Sequence, residues 1–116
     1  MLSQKLTTLF IVVMVSILQK RIEQGIITLA GIIDGKPKNQ PFSGDGPYAN
    51  CGRVSCSYGA AIYWCNMNNY ELELDSYKQI ADAAKQVVEL CSVDDKVAGS
   101  VLMEGNWRVV VANAGC

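Results

Sequence analysis

The chain contains no histidine. That removes a histidine general base, a Ser-His or Cys-His nucleophile pair and the commonest zinc ligand in one stroke. Cysteine never occurs as C-x-x-C, the close spacing that four-cysteine zinc sites use, so no metal or other cofactor is expected. There is no Asn-x-Ser/Thr acceptor for glycosylation. Basic charge is also short. The whole chain carries net −1, and from Gly31 onward seven Lys/Arg face ten Asp/Glu, a balance of −3. A phosphate backbone needs a basic face, so nucleic acid is not an expected partner.

Against these absences stand five cysteines, all between Cys51 and Cys116. At this density they read as a disulfide framework formed by Cys51, Cys56, Cys65, Cys91 and Cys116, which requires an oxidising compartment. The count is odd, leaving one thiol or an intermolecular bond.

The N-terminal third reads differently from the rest. Leu6–Leu18 is thirteen residues with Thr7, Thr8 and Ser16 as its polar members, the length of a signal-peptide core and short for a membrane span. Gln19-Lys20-Arg21 follows without a small-x-small cleavage site. Residues 1–30 are therefore expected to be a signal peptide, or a signal anchor that borrows Ile26–Ile33; a misplaced start is the third reading. Lys20-Arg21 reads as a solvated junction rather than a dibasic processing site. Asp34–Ala49 holds all three prolines, so residues 31–50 are expected to be a flexible linker. The folded domain is expected over residues 51–116, small enough to need covalent help; the polar face of its helix is mixed in sign and not basic, so no membrane is expected as a partner.

Within it, Ala60–Cys65 is β-branched and aromatic and reads as a strand with a bend at Gly59. Tyr63 and Cys65 then face one side, Ile62 and Trp64 the other. Residues 53–57 are expected to be extended, and Tyr70–Leu74 alternates like a short strand. Asp75–Ser92 is the clearest helix. Ser76 and Gln79 fit a capping box, and Tyr77, Ile80, Ala81, Ala84, Val87, Val88 and Cys91 form one apolar stripe. Lys96–Met103 and Trp107–Ala112, joined by Glu104-Gly105-Asn106, predict a hairpin. The order gives an α+β fold: a small antiparallel or mixed sheet of three to four strands with one helix on one face.

Topology narrows the pairing of the cysteines. On one continuous strand, Cys56 and Cys65 would lie roughly 30 Å apart, so they pair only if Gly59 folds the segment back. A helix returning along the first strand would bring Cys91 to Cys56 or Cys51, with Cys116 fastening the C-terminus to the sheet.

Val54-Ser55-Cys56-Ser57-Tyr58, Ala61-Ile62-Tyr63-Trp64-Cys65-Asn66, Ile80-Ala81-Asp82, Asn106-Trp107 with Val109-Val110-Val111, and Cys91 and Cys116 together resemble small secreted proteins of filamentous fungi, of the kind considered effector candidates. The resemblance spans about Cys51–Cys116. It implies secretion, a compact disulfide-bonded α/β fold and an extracellular role toward a host or competitor, and it implies no catalytic residues. Secreted killer toxins with small α/β sandwiches offer a fold-level analogy only.

No enzyme is expected. Glu71/Glu73 and Asp94/Asp95 are acid pairs, but paired surface carboxylates are mostly solvated charge, and Ser55, Ser57 and Ser100 have no histidine to activate them. A binding protein fits better, with Tyr58, Tyr63 and Tyr70 as surface candidates for a protein or glycan partner. Trp64 and Trp107 are expected in the core. A receptor-mediated toxin is the alternative.

Overall fold

The computed structural model describes residues 6–12, by backbone alone, and residues 17–42 and 50–116. The elements run β1 (Leu6–Val12), α1 (Gln19–Ala30), β2 (Lys38–Asn39), β3 (Cys51–Ser57), β4 (Ala60–Asn66), β5 (Leu72–Glu73), α2 (Tyr77–Cys91), β6 (Ser92–Val93), β7 (Lys96–Val97), β8 (Gly99–Met103) and β9 (Trp107–Asn113). Five strands make an antiparallel sheet in the order β1-β8-β9-β4-β3, with β2-β5 and β6-β7 as separate two-stranded pairs. The α+β class follows, disulfide-bonded as expected, with more sheet and one more helix than the sequence pattern suggested.

Three tight connections set the register. Ser57 pairs with Ala60, so β3 and β4 are joined by Tyr58-Gly59 alone, with φ of 53° and 79°. Two consecutive left-handed residues are the type I′ geometry, whose twist matches paired strands. Asp94-Asp95 plays the same part between β6 and β7, with φ of 49° and 65°. Glu104-Gly105-Asn106 links β8 to β9, the hairpin predicted from sequence.

Both helices lie on one face. α1 packs on β3 and β4, while α2 packs on β8, β9 and β1, and the helices touch each other. Ile22, Ile26 and Leu29 recur at helical spacing and turn α1 toward the core, where Ile22 and Leu29 are fully buried. Gly25 permits the close approach: a Cβ there would fall 2.6 Å from Ser55 Oγ. α2 begins where the capping signal placed it, with Gln79 Oε1 accepting from the Asp75 and Ser76 amides at 2.7 and 3.3 Å. Between helices and sheet, Trp64 and Trp107 meet edge to face, ring centroids 6.3 Å apart.

The core therefore reaches further toward the N-terminus than Cys51. Of the apolar run read as a leader, Leu6–Val12 pairs with β8 and residues 13–16 lie outside the described residues. Residues 19–30 are a core helix. In the expected linker, Lys38–Asn39 pairs with β5, and the Pro37 carbonyl accepts from the Leu74 amide at 2.8 Å; residues 43–49 lie outside the described residues. Among the described residues no helix is long and apolar enough to cross a membrane.

Two disulfides form, Cys51–Cys65 and Cys56–Cys116. Cys116 fastens the C-terminus to the sheet as anticipated, but the expected bond from Cys91 to Cys56 or Cys51 does not exist. That expectation laid the wrong helix over the first strands. α1 occupies that position, and α2 sits over β8 and β9, which leaves Cys91 as a thiol in the core, 1 % exposed. The Tyr58-Gly59 turn instead sets Cys51 directly opposite Cys65 on the other sheet face. An intermolecular disulfide through the odd cysteine would need this buried thiol to reach the surface.

A chemical prediction follows from that arrangement. Peptide mapping is expected to find the two bonds above. Thiol titration without reductant should give no fast reaction in native protein and one thiol on unfolding. Burial pushes the Cys91 thiol above its ordinary value of 9.0. The protonated thiol is thus favoured in the folded state, and its contribution to stability should fade as pH rises above about 9, where the unfolded thiol ionises. Two or more reactive thiols in native, oxidised protein would overturn the pairing.

Candidate functional site

The three surface tyrosines do not form one platform. Tyr58 precedes β4 and Tyr70 follows it, so they stand at opposite ends of a strand roughly 20 Å long. Tyr63 lies between them, half-buried, on the sheet face away from both helices.

Tyr58 is the unusual member. A left-handed turn position favours Gly, Asn or Asp, and an aromatic residue there costs about 1 kcal/mol. The ring recovers no burial in exchange, being 82 % exposed. Its partner is Arg21 of α1, whose guanidinium carbon lies 4.5 Å from the ring centroid. Ring and guanidinium form part of the wall of an open cleft of about 320 Å³, completed by Ile17, Leu18, Gly59 and Asn113. No carboxylate lines it among the described residues. Among the described residues the Arg21 side chain makes no hydrogen bond or ion pair. Only the Tyr58 half of this site was visible in the sequence. Arg21 reads there as a charged junction, because nothing local indicates that α1 folds back over the β3–β4 turn. The one available signal was Tyr-Gly between two β-rich runs, a hairpin turn with an aromatic where a small polar residue belongs.

Tyr63 occupies a second surface. Its cross-strand neighbours are Arg53 on β3 and Val110 on β9, and Arg108 sits two pairs further along on the same face, opposite Cys65. Arg53 Nη1 donates to the Gly115 carbonyl at 3.1 Å, so the disulfide-held C-terminal residues cross beside this face. Arg108 Nε is buried without an acceptor among the described residues.

Tyr70, 57 % exposed, belongs to a third region built on asparagine. Asn66 is completely buried at the end of β4. Its Nδ2 donates to the carbonyls of Asn39, Gln40 and Tyr70 at 3.2, 3.0 and 2.7 Å, and its Oδ1 accepts from Asn68 N and Nδ2 at 2.9 and 3.1 Å. Asn68 Nδ2 also reaches the Gly105 carbonyl at 3.0 Å, Asn39 Nδ2 the Trp64 carbonyl at 2.8 Å, and Asn50 Nδ2 the Asn66 carbonyl. The cluster ties four chain segments together and leaves no orphaned amide on Asn66. It fixes loops and offers no vacant donor for a ligand.

The acid pairs are not assembled into a site. Asp94 and Asp95 serve the β6–β7 turn, where short polar side chains tolerate positive φ. Glu71 Oε2 accepts from Gln40 Nε2 at 3.3 Å beside the β2–β5 pair. Ser55 lies beneath α1, Ser57 at the hairpin end and Ser100 within β8. No family model, curated protein or solved structure matches the chain.

Proposed function

We propose that this is a secreted, non-enzymatic binding protein that acts on a host or competitor outside the cell, and that it binds through the Arg21–Tyr58 cleft. Two intramolecular disulfides support the compartment, because such bonds persist where thiols are not kept reduced. The single observation that carries the binding role is Tyr58: a large ring held in a costly backbone conformation, exposed, and stacked by a cation rather than packed in a core. Local rules are broken at functional positions more often than elsewhere.

The test separates function from stability. Tyr58→Asn suits the left-handed turn and is expected to leave the melting midpoint unchanged or raise it, with a gain of up to about 1 kcal/mol. The same variant should lose binding of the wild-type protein to an array of glycans and extracellular proteins. Binding retained by the variant on every bound target, or no binding by the wild type, would overturn this reading.

A further inference from the structure

We infer that the Arg21–Tyr58 cleft takes a carboxylate carried on a sugar ring, that is, a uronate unit of an acidic saccharide. This rests on the binding role proposed above and names its ligand. A guanidinium over an aromatic face spends none of its five N–H donors on the ring, so they remain for a ligand, and a carboxylate is the group that matches their fork. Among the described residues the cleft supplies no competing anion, since Ile17, Leu18, Arg21, Tyr58, Gly59 and Asn113 line it. The adjacent opening beyond Leu18 differs: Glu23 and Asp95 line it beside Lys20, so it lacks this unopposed positive charge.

The rest of the wall selects what carries the carboxylate. The exposed tyrosine ring offers a flat apolar surface for the C–H face of a sugar. About 320 Å³ lies at the lower end of small-ligand sites and is open to solvent, which suits one residue of a longer saccharide. An acidic peptide would satisfy Arg21 equally well. It would find no closed apolar socket for a neighbouring side chain, which is why the saccharide is favoured.

The experiment uses the full chain and tri-galacturonic acid as probe, followed by amide chemical shifts and calorimetry. The methyl-esterified trimer and hexaglutamate serve as comparison ligands. Tri-galacturonic acid is expected to shift the amides of residues 18–21, 58–59 and 113. Esterification, which removes the charge and keeps the sugar, should weaken binding about tenfold or more, as should Arg21→Gln and Tyr58→Asn. Arg21→Lys should recover part of the loss, since it restores charge without the planar fork. Binding is compared at a temperature well below the melting midpoint of every variant. Equal binding of the esterified trimer, shifts confined to other surfaces, or hexaglutamate binding as tightly as the uronate would each overturn the uronate assignment. If instead a neutral glycan or a protein binds in a Tyr58-dependent way, the cleft still functions and only its ligand has been misassigned. If no ligand depends on Tyr58, the binding role itself fails.

Discussion

A chain that begins at Gly31 is expected not to fold. Such a chain is what cleavage after Ala30 would leave, and it would lack β1 and the whole of α1. α1 is the cover for half of the sheet: it packs on β3 and β4 and against α2, and its Ile22 and Leu29 are fully buried. Truncating either to alanine would cost about 2–5 kcal/mol, against a total stability of about 5–15 kcal/mol for a domain of this kind. Losing both, together with the uncovering of Ile62 and Trp64, exceeds what the remaining core can supply. The disulfides would not compensate. Each contributes only about 3–4 kcal/mol in the chain-entropy account, and the two loops overlap. Circular dichroism and amide spectra of residues 31–116 should show a loss of cooperative unfolding, and Ile22→Ala in the full chain should lower stability within the range above. A residue 31–116 fragment that melts cooperatively near the full-chain midpoint would sink this prediction. It also bears on the secretion proposed above: a protein exported in folded form is expected to retain residues 19–30, which N-terminal sequencing of material from culture medium would read.

The same helix explains why the sequence was legible in some places and not others. α2 could be read because its signals are local: a capping pair at Ser76 and Gln79 and seven apolar residues on one stripe. The β8–β9 hairpin was legible for the same reason, through Gly105 between two β-rich runs. Leu6–Leu18 gives no such discrimination. A mostly apolar run is what a leader needs and also what a strand beside a covered sheet face can use. The stripe Ile22, Ile26, Leu29 is present in the sequence, but it follows Gln-Lys-Arg and precedes a proline-rich stretch, so leader chemistry explained it first. With α1 assigned to a leader, α2 was the only helix left to cover the first strands, and Cys91 was drawn toward Cys51 and Cys56. Arg21 was lost from the candidate site by the same route, leaving Tyr58 without its partner. Tyr58 and Tyr70 are exposed and Tyr63 is half-buried, while Trp64 and Trp107 lie in the core, yet strand alternation says nothing of distance along the sheet. The asparagine cluster was the least accessible. Asn66 and Asn68 lie in a polar turn by sequence, and their burial comes from Asn39, Gln40 and Gly105, segments far away in the chain.

That cluster sets the second large effect. Asn66→Ala is expected to destabilise the protein by about 3 kcal/mol or more, an unusual loss for a polar residue read as part of a turn. Removing the amide would take the donor from the carbonyls of Asn39, Gln40 and Tyr70 and the acceptor from the Asn68 backbone amide, around a side chain that is itself fully buried, while Asn68 Nδ2 keeps the Gly105 carbonyl. Each abandoned buried group costs about 1–3 kcal/mol, reduced where water or a shifted loop takes over. Asn66→Asp distinguishes lost packing from lost donors. Its shape is nearly the same, yet a carboxylate would set a second oxygen against three carbonyl oxygens and bury a charge without a counter-ion. At neutral pH this variant should be at least as unstable as Asn66→Ala. Its deficit should shrink on acidification, because the protonated acid regains one donor and the burial cost of the charge disappears. Asn69→Ala, at an exposed neighbour, should change stability by no more than about 0.5 kcal/mol. Amide exchange gives the spatial readout. Protection should fall first at Phe42, Asn66, Met67 and Leu74, whose amides close the segments that Asn66 holds together. If Asn66→Ala melts with the wild type, or if the aspartate variant is the more stable of the two at neutral pH, the network does not carry the weight its geometry implies. The outcome also matters for binding. The asparagine cluster lies at the far end of β4 from Tyr58, so a destabilised but folded Asn66 variant should retain the Arg21–Tyr58 cleft. Loss of stability at one end of the strand and loss of ligand at the other are then separable by mutation.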